Sequence, residues 1–197
     1  MSRLKDILRQ TGFNEGTVRS PEDFYITPSI AIEELLKREK FEGIGWECAS
    51  GDGAIAKFFP NIIASDIRKD DTVYGEKGIN FLATERKVDF IITNPPFSLL
   101  LPFMEHSLEC ANKIALFCRL QALEGKARYK FYRKNPPIRI YVFADRISCV
   151  PFHINKNAHA IMCFCWIIWE KGYKGNTTLD WILTKEHNSN QKKLLET

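Results

Sequence analysis

The sequence predicts a single α/β domain built on a mostly parallel, doubly wound sheet, shortened between the second and fourth strand positions. Three observations predict it. Short β-branched, apolar runs such as Val88-Asp89-Phe90-Ile91-Ile92-Thr93 alternate with stretches of helical apolar spacing, the pattern of repeated βαβ units. Small or polar turn formers stand directly behind several of those runs, where the carboxyl ends of parallel strands open to ligands. The chain has 197 residues, 45% of them hydrophobic and 26% charged, which suffices for one buried core and leaves no room for a second.

The elements follow in order. Residues 1–21 are polar, with two glycines and no sustained period, and are expected to form a loosely held arm. Thr27 suits a helix N-cap and Pro28 the first helical position, after which Ile32, Leu35 and Leu36 supply an apolar face. Residues 43–49 read as a strand, Ser50-Gly51-Asp52-Gly53 as a sharp turn, and 54–59 as a short helix stopped by Pro60. A second strand over 61–65 ends in Asp66. Residues 67–87 are mostly polar loop interrupted by Ile79-Asn80-Phe81-Leu82, and the stretch between Asp66 and Asn80 is too short for a full helix and strand. The strand over 88–93 is followed by a helix over about 102–111, a strand over 113–118 and a basic helix over 120–134. Further strands are predicted over 138–144, 160–169 and 178–183, and residues 186–197 form a polar tail behind a domain spanning 22–185.

Composition excludes some classes. The longest apolar run, Ala160 to Trp169, is far short of the roughly 20 residues that a membrane span requires. The opening Met1-Ser2-Arg3-Leu4-Lys5-Asp6 lacks the apolar core of a signal peptide, so a cytoplasmic protein without membrane partners is expected. The cysteines show no C-x-x-C pair. Cys163 and Cys165 share a strand face and could join His153 or His159 at a metal, but burial as small apolar residues is the favoured reading, and no metal is expected. Net charge is +4. Arg119, Lys126, Arg128, Lys130, Arg133, Lys134, Arg139 and Arg146 face only Glu124 and Asp145, so this segment carries more positive excess than the whole chain. Tyr129, Phe131 and Tyr132 are interleaved with it. Arg119, Lys126, Arg128, Lys130, Arg133 and Lys134 are therefore the candidate phosphate contacts.

Asn94-Pro95-Pro96-Phe97 carries the chemistry. Proline removes a backbone N–H and fixes φ, so the Asn94 amide and the Pro95 carbonyl can face one cleft as a pair of acceptors, with the Phe97 ring as a stacking plate. Two acceptors and a ring suit a planar substrate presenting an NH₂ group, such as a nucleobase turned out of its helix. A second copy, Asn135-Pro136-Pro137, precedes a strand and lacks the aromatic, and reads as a plain turn. The other strand ends supply Glu47, Ala49, Ser50, Gly51, Asp52 and Gly53, then Asp66, then Asn80 and Phe81. Small residues at a helix start admit a ligand to the backbone, and an acid ending the second strand is placed for both hydroxyls of a ribose.

In these residues the chain resembles the class I S-adenosylmethionine-dependent DNA adenine-N6 methyltransferases, in particular the small single-domain enzymes of phage and mobile-element type. Tyr25-x-Thr27-Pro28 looks like the family segment that contacts the methionine part of the cofactor, Glu47 to Gly53 like its glycine-rich motif, Asp66 like its ribose-binding acid, and Asn94 to Phe97 like its catalytic motif. Leu123-Glu124-Gly125-Lys126-x-Arg128 and Trp166 to Gly172 are similar to the phage-type subgroup. The resemblance implies a Rossmann-like fold, S-adenosyl-L-methionine as cofactor and DNA as partner. RNA adenine or a protein glutamine amide is the alternative acceptor, and a non-catalytic nucleic-acid-binding relative the alternative class. Cys48 stands where the family often has proline, and Asn80 where many members place an aspartate against the cofactor adenine, with Phe81 able to stack on that ring.

Overall fold

The computed structural model describes residues 26–145, 147 and 162–184. The arm at 1–21, Tyr25, Arg146, His153, His159, the first residues of the strand expected from Ala160 and the tail at 186–197 lie outside them. No helix of the described residues is long and apolar enough to cross a membrane.

Among the described residues eight strands form one sheet: β1 Gly45–Glu47, β2 Ile62–Asp66, β3 Glu76–Lys77, β4 Val88–Thr93, β5 Ala111–Arg119, β6 Arg139–Phe143, β7 Phe164–Glu170 and β8 Thr178–Ile182. Their order across the sheet is β3-β2-β1-β4-β5-β7-β6-β8. From β3 to β5 all pairings are parallel. β7 inserts antiparallel between β5 and β6, and β8 closes the edge parallel to β6. The expectation of a mostly parallel sheet therefore holds among the described residues, since β6 and β8 run in the same direction as β1 to β5 and only β7 runs against them. The expected shortening is seen in β3, which has only two residues.

Alternation along the strands divides the core between two faces. Phe90, Ile92, Ala115, Phe117, Trp166 and Ile168 point to one side, where they meet Ala31, Ile32 and Leu35 of α1, Ser29–Leu36. Trp166 Nε1 donates to the Ala31 carbonyl at 2.9 Å and locks that helix to β7. Ile91, Ile114, Leu116, Cys165 and Ile167 point to the other side, under α2, Leu100–Cys110, and α3, Lys126–Lys134. Both faces are covered, so the strands read as continuous apolar runs in the sequence.

Local departures have local causes. α1 begins one residue later than expected: Pro28, with an extended ψ of 139°, is the N-cap and has no side-chain cap, while the Thr27 hydroxyl accepts from Asn94. The expected helix at 54–59 is reduced to a 3-10 turn at Ala56–Phe58. The basic helix expected over 120–134 is split: a 3-10 turn, Leu120–Leu123, is parted from α3 by Gly125, whose φ of 101° no helix accepts. Asn135 caps the far end of α3, and its carbonyl accepts from Trp169 Nε1 at 3.1 Å, as suits a turn. Cys165 is buried as expected, whereas Cys163 precedes β7 and is exposed.

Candidate active site

The strand order reverses between β1 and β4, and the carboxyl ends there form the crevice in which such sheets bind ligands. Four elements supply its walls.

The first is the turn after β1. Gly51 and Gly53 have φ of 56° and 80°, in the left-handed region that glycine occupies without strain. The loop before β3 folds back onto this turn. Ser50 Oγ donates to the Tyr74 carbonyl at 2.7 Å, and the Tyr74 N–H bonds the Gly51 carbonyl at 2.9 Å. A Cβ on Gly53 would lie 2.5 Å from Tyr74 Cγ. Gly53 is thus required by chain packing, where the sequence suggested open space for a ligand. Glu47 is 2% exposed and accepts from the Ala56 N–H at 2.7 Å. Burial, with Asp52 and Asp66 nearby, pushes its carboxyl well above the usual glutamate range.

The second is Asp66, at the end of β2 and 1% exposed. Its oxygens accept from the Gly51 N–H at 3.0 Å and the Arg68 N–H at 2.9 Å, so the carboxylate ties the two strand ends together. The Arg68 side chain pairs with it as well, its Nε 3.6 Å from Asp66 Oδ1.

The third is the segment behind β3. Asn80 Oδ1 accepts from the Leu82 N–H at 3.1 Å and starts the 3-10 turn Phe81–Ala83. Phe81 is 2% exposed and packs on Trp46, Phe103 and His106 with centroids 4.7–5.1 Å apart. It serves the core and presents little of its face to a ligand. Ile67, Ile79, Asn80, Phe81, Cys48 and Leu99 line a narrow slot beside it, of about 10 Å³.

The fourth is the motif at the end of β4. Pro95 and Pro96 are buried. The Leu99 N–H bonds the carbonyl of Pro96, which leaves the Pro95 carbonyl outside that turn. Asn94 Nδ2 donates to Thr27 Oγ1 at 3.1 Å, and Thr27 is 5% exposed. The amide nitrogen is thereby turned to Thr27, and the carbonyl end of the same planar group is turned away from it. Phe97 opens the 3-10 turn that leads into α2 and carries the Arg119 guanidinium 3.8 Å above its ring centroid.

The structure thus brings Thr27, Glu47, Asp66, Asn80 and Asn94 to one end of the sheet but disperses the basic set. Arg128 donates to the carbonyls of Glu124 and Gln121, holding its own turn. Lys126, Lys130 and Lys134 line a groove of about 750 Å³ between α2 and α3, with Glu105 and Glu109 among its other residues. Only Arg119, at the end of β5, reaches the motif. Sequence reasoning missed the Thr27–Asn94 bond, the Tyr74 packing and the lining by Ile67 and Leu99. Ile67 alone carried a signal, as the apolar residue directly behind the strand-ending acid.

By sequence, no protein-family profile and no curated protein matches the chain. Solved structures do. A modification subunit of a candidate type I restriction enzyme from Vibrio vulnificus is matched with a TM-score of 0.57 at 13% identity, over 99% of this chain and 56% of that one. The type I restriction enzyme EcoKI M protein is matched at 0.52 and 15% identity, over 78% and 47%. A magnesium protoporphyrin IX methyltransferase from Synechocystis with bound S-adenosylmethionine is matched at 0.50 and 11% identity, over 85% and 90%. The chain spans about half the length of the two restriction subunits. These likenesses define the fold as that of the class I S-adenosylmethionine-dependent methyltransferases. The same fold hosts unlike substrates, so the acceptor has to be argued from the site.

Proposed function

We propose that this chain is an S-adenosylmethionine-dependent methyltransferase that methylates the exocyclic N6 of adenine in DNA. The observation that carries the reading is the Asn94 amide, held by Thr27 at the end of β4 and followed two residues behind its proline by the Phe97 ring. Restriction-modification subunits among the fold's neighbours support a nucleic-acid acceptor.

The residues present fit the cofactor. Asp52 and Asp66, near enough to Glu47 to help raise its carboxyl, favour a ligand that brings positive charge, and S-adenosylmethionine carries an ammonium and a sulfonium. Asp66 would hold the ribose hydroxyls, Ile67 and Asn80 would border the adenine once the slot of about 10 Å³ between them widens to admit it, and the Gly51 turn and Tyr25-x-Thr27-Pro28 segment would hold the methionine part. When bound, the cofactor supplies an electrophilic methyl group on sulfur.

The chain's own residues do the rest. Adenine N6 is a poor nucleophile because its lone pair is delocalised into the ring. The Asn94 amide oxygen and the Pro95 carbonyl accept its two hydrogens, which favours the pyramidal, more nucleophilic form. The cationic amine sheds a proton after attack, so no base is needed beforehand, and positioning does most of the work. Stacking on Phe97 is worth about 1–3 kcal/mol against an unstacking cost of a few. The reading places the enzyme in the cytoplasm with its DNA, as a phage- or prophage-type modification enzyme whose catalytic domain spans residues 22–185. Calorimetry with S-adenosylhomocysteine tests the cofactor half, and nucleoside mass spectrometry of DNA incubated with protein and S-adenosylmethionine tests the acceptor half. Absence of binding or of N6-methyladenine would reject the corresponding half.

A further inference from the structure

Resting on the nucleic-acid reading above, we infer that Arg119 holds the place of the substrate base. In the free protein its guanidinium stacks on Phe97, and an arriving base exchanges with it and releases it to a phosphate. A guanidinium carbon 3.8 Å from a ring centroid lies over the face, since the ring's edge would keep it farther out. Phe97 also packs against the core cluster beneath α1, and Arg119 covers a face of its ring. A planar guanidinium and a planar base at van der Waals distance cannot share that face.

The backbone favours exchange by side-chain motion alone. Arg119 ends β5 in register with Phe164 of β7, and the next N–H, that of Leu120, bonds the Cys163 carbonyl at 2.9 Å. With both flanks fixed to the sheet, the exchange moves the side chain and leaves the backbone in place. Once displaced, it is a fork of donors at the mouth of the motif, suited to a phosphate oxygen pair. Among the basic residues assigned to nucleic acid, it alone touches the motif, which makes it the one able to couple base entry to backbone contact.

The test uses protein saturated with S-adenosylhomocysteine, so that a nucleoside cannot enter the cofactor pocket. Titration with 2-aminopurine riboside, which has an uncharged base and no phosphate, is compared with titration of duplex DNA over a salt series. Arg119→Ala is expected to bind the nucleoside about 2- to 30-fold more tightly, the range that one lost cation–π contact represents. It should bind duplex DNA more weakly, with a log affinity against log salt slope shallower by about 0.9. Arg119→Lys, which keeps the charge without the stacking plane, should restore that slope. Nucleoside affinity that is unchanged, weakened or undetectable in both proteins would overturn the exchange, and an unchanged slope would overturn the release to phosphate. Methyl transfer to DNA by the unaltered protein is scored separately. Its absence rejects the proposed function, while the nucleoside titration still decides the exchange.

Discussion

Replacing Thr27 by valine removes one hydroxyl and little volume from a site that is 5% exposed, and it decides between two roles for this residue. As a cofactor contact, Thr27 would act on S-adenosylmethionine affinity. As the acceptor for Asn94 Nδ2 at 3.1 Å, it sets which end of the catalytic amide faces the substrate. A hydrogen bond of this kind is worth about 0.5–1.5 kcal/mol net, and with about 1.4 kcal/mol per tenfold in rate the expected loss in kcat is roughly 2- to 13-fold. Single-turnover rates at saturating cofactor and DNA read that loss, and calorimetry reads cofactor affinity beside it. We expect a slower chemical step with cofactor affinity within about twofold of the parent, and recovery in Thr27→Ser, which restores the oxygen. Unchanged kcat with a tenfold weaker cofactor would refute the orienting role.

Other expectations follow from the same geometry. Asn94→Ala should abolish methyl transfer and leave cofactor affinity nearly intact, whereas Asn135→Ala should change neither, because Asn135 serves Trp169 through its main-chain carbonyl; turnover assays with calorimetry check both. Asp66→Ala should weaken cofactor binding and also cost about 2–4 kcal/mol of stability in urea melts, since the Gly51 and Arg68 N–H groups lose a charged acceptor. Glu47 holds its proton more firmly in the folded chain than in the unfolded one. Its contribution to stability is therefore full below the ordinary value of 4.5 and falls as pH rises from there through the raised value. Glu47→Gln should lack that decline, so the difference in melting temperature between variant and parent should grow as pH rises from 4.5, and a constant difference would count against a buried, protonated Glu47.

Much of this was legible in the sequence because strand ends and turn chemistry are local. Val88 to Thr93 announced β4 by its own β-branched composition, and Asp66 and Asn94 by their places behind apolar runs. The antiparallel insertion of β7 was not legible, since Phe164 to Glu170 would be equally apolar in either direction between two covered faces. Gly125 was visible as a letter, but its break in the basic helix depends on a backbone conformation, which moves Arg128 onto its own turn. Thr27 fitted an N-cap by residue type, and only the tertiary approach of β4 assigns its hydroxyl to Asn94 instead. The role of Gly53 likewise depends on Tyr74, which arrives from a loop with no periodicity to reveal its path.

The most direct measurement of the central claim is the position and source of the transferred methyl group. Protein is incubated with S-adenosylmethionine carrying a deuterated methyl and with an equal mixture of duplex DNA, RNA and a glutamine-containing peptide, and all products are digested and resolved by mass spectrometry. The account predicts deuterated N6-methyladenine in the DNA fraction and none when Asn94→Ala replaces the parent. Label confined to RNA or to the peptide amide, or label in DNA that persists at the parent level in Asn94→Ala, would contradict it.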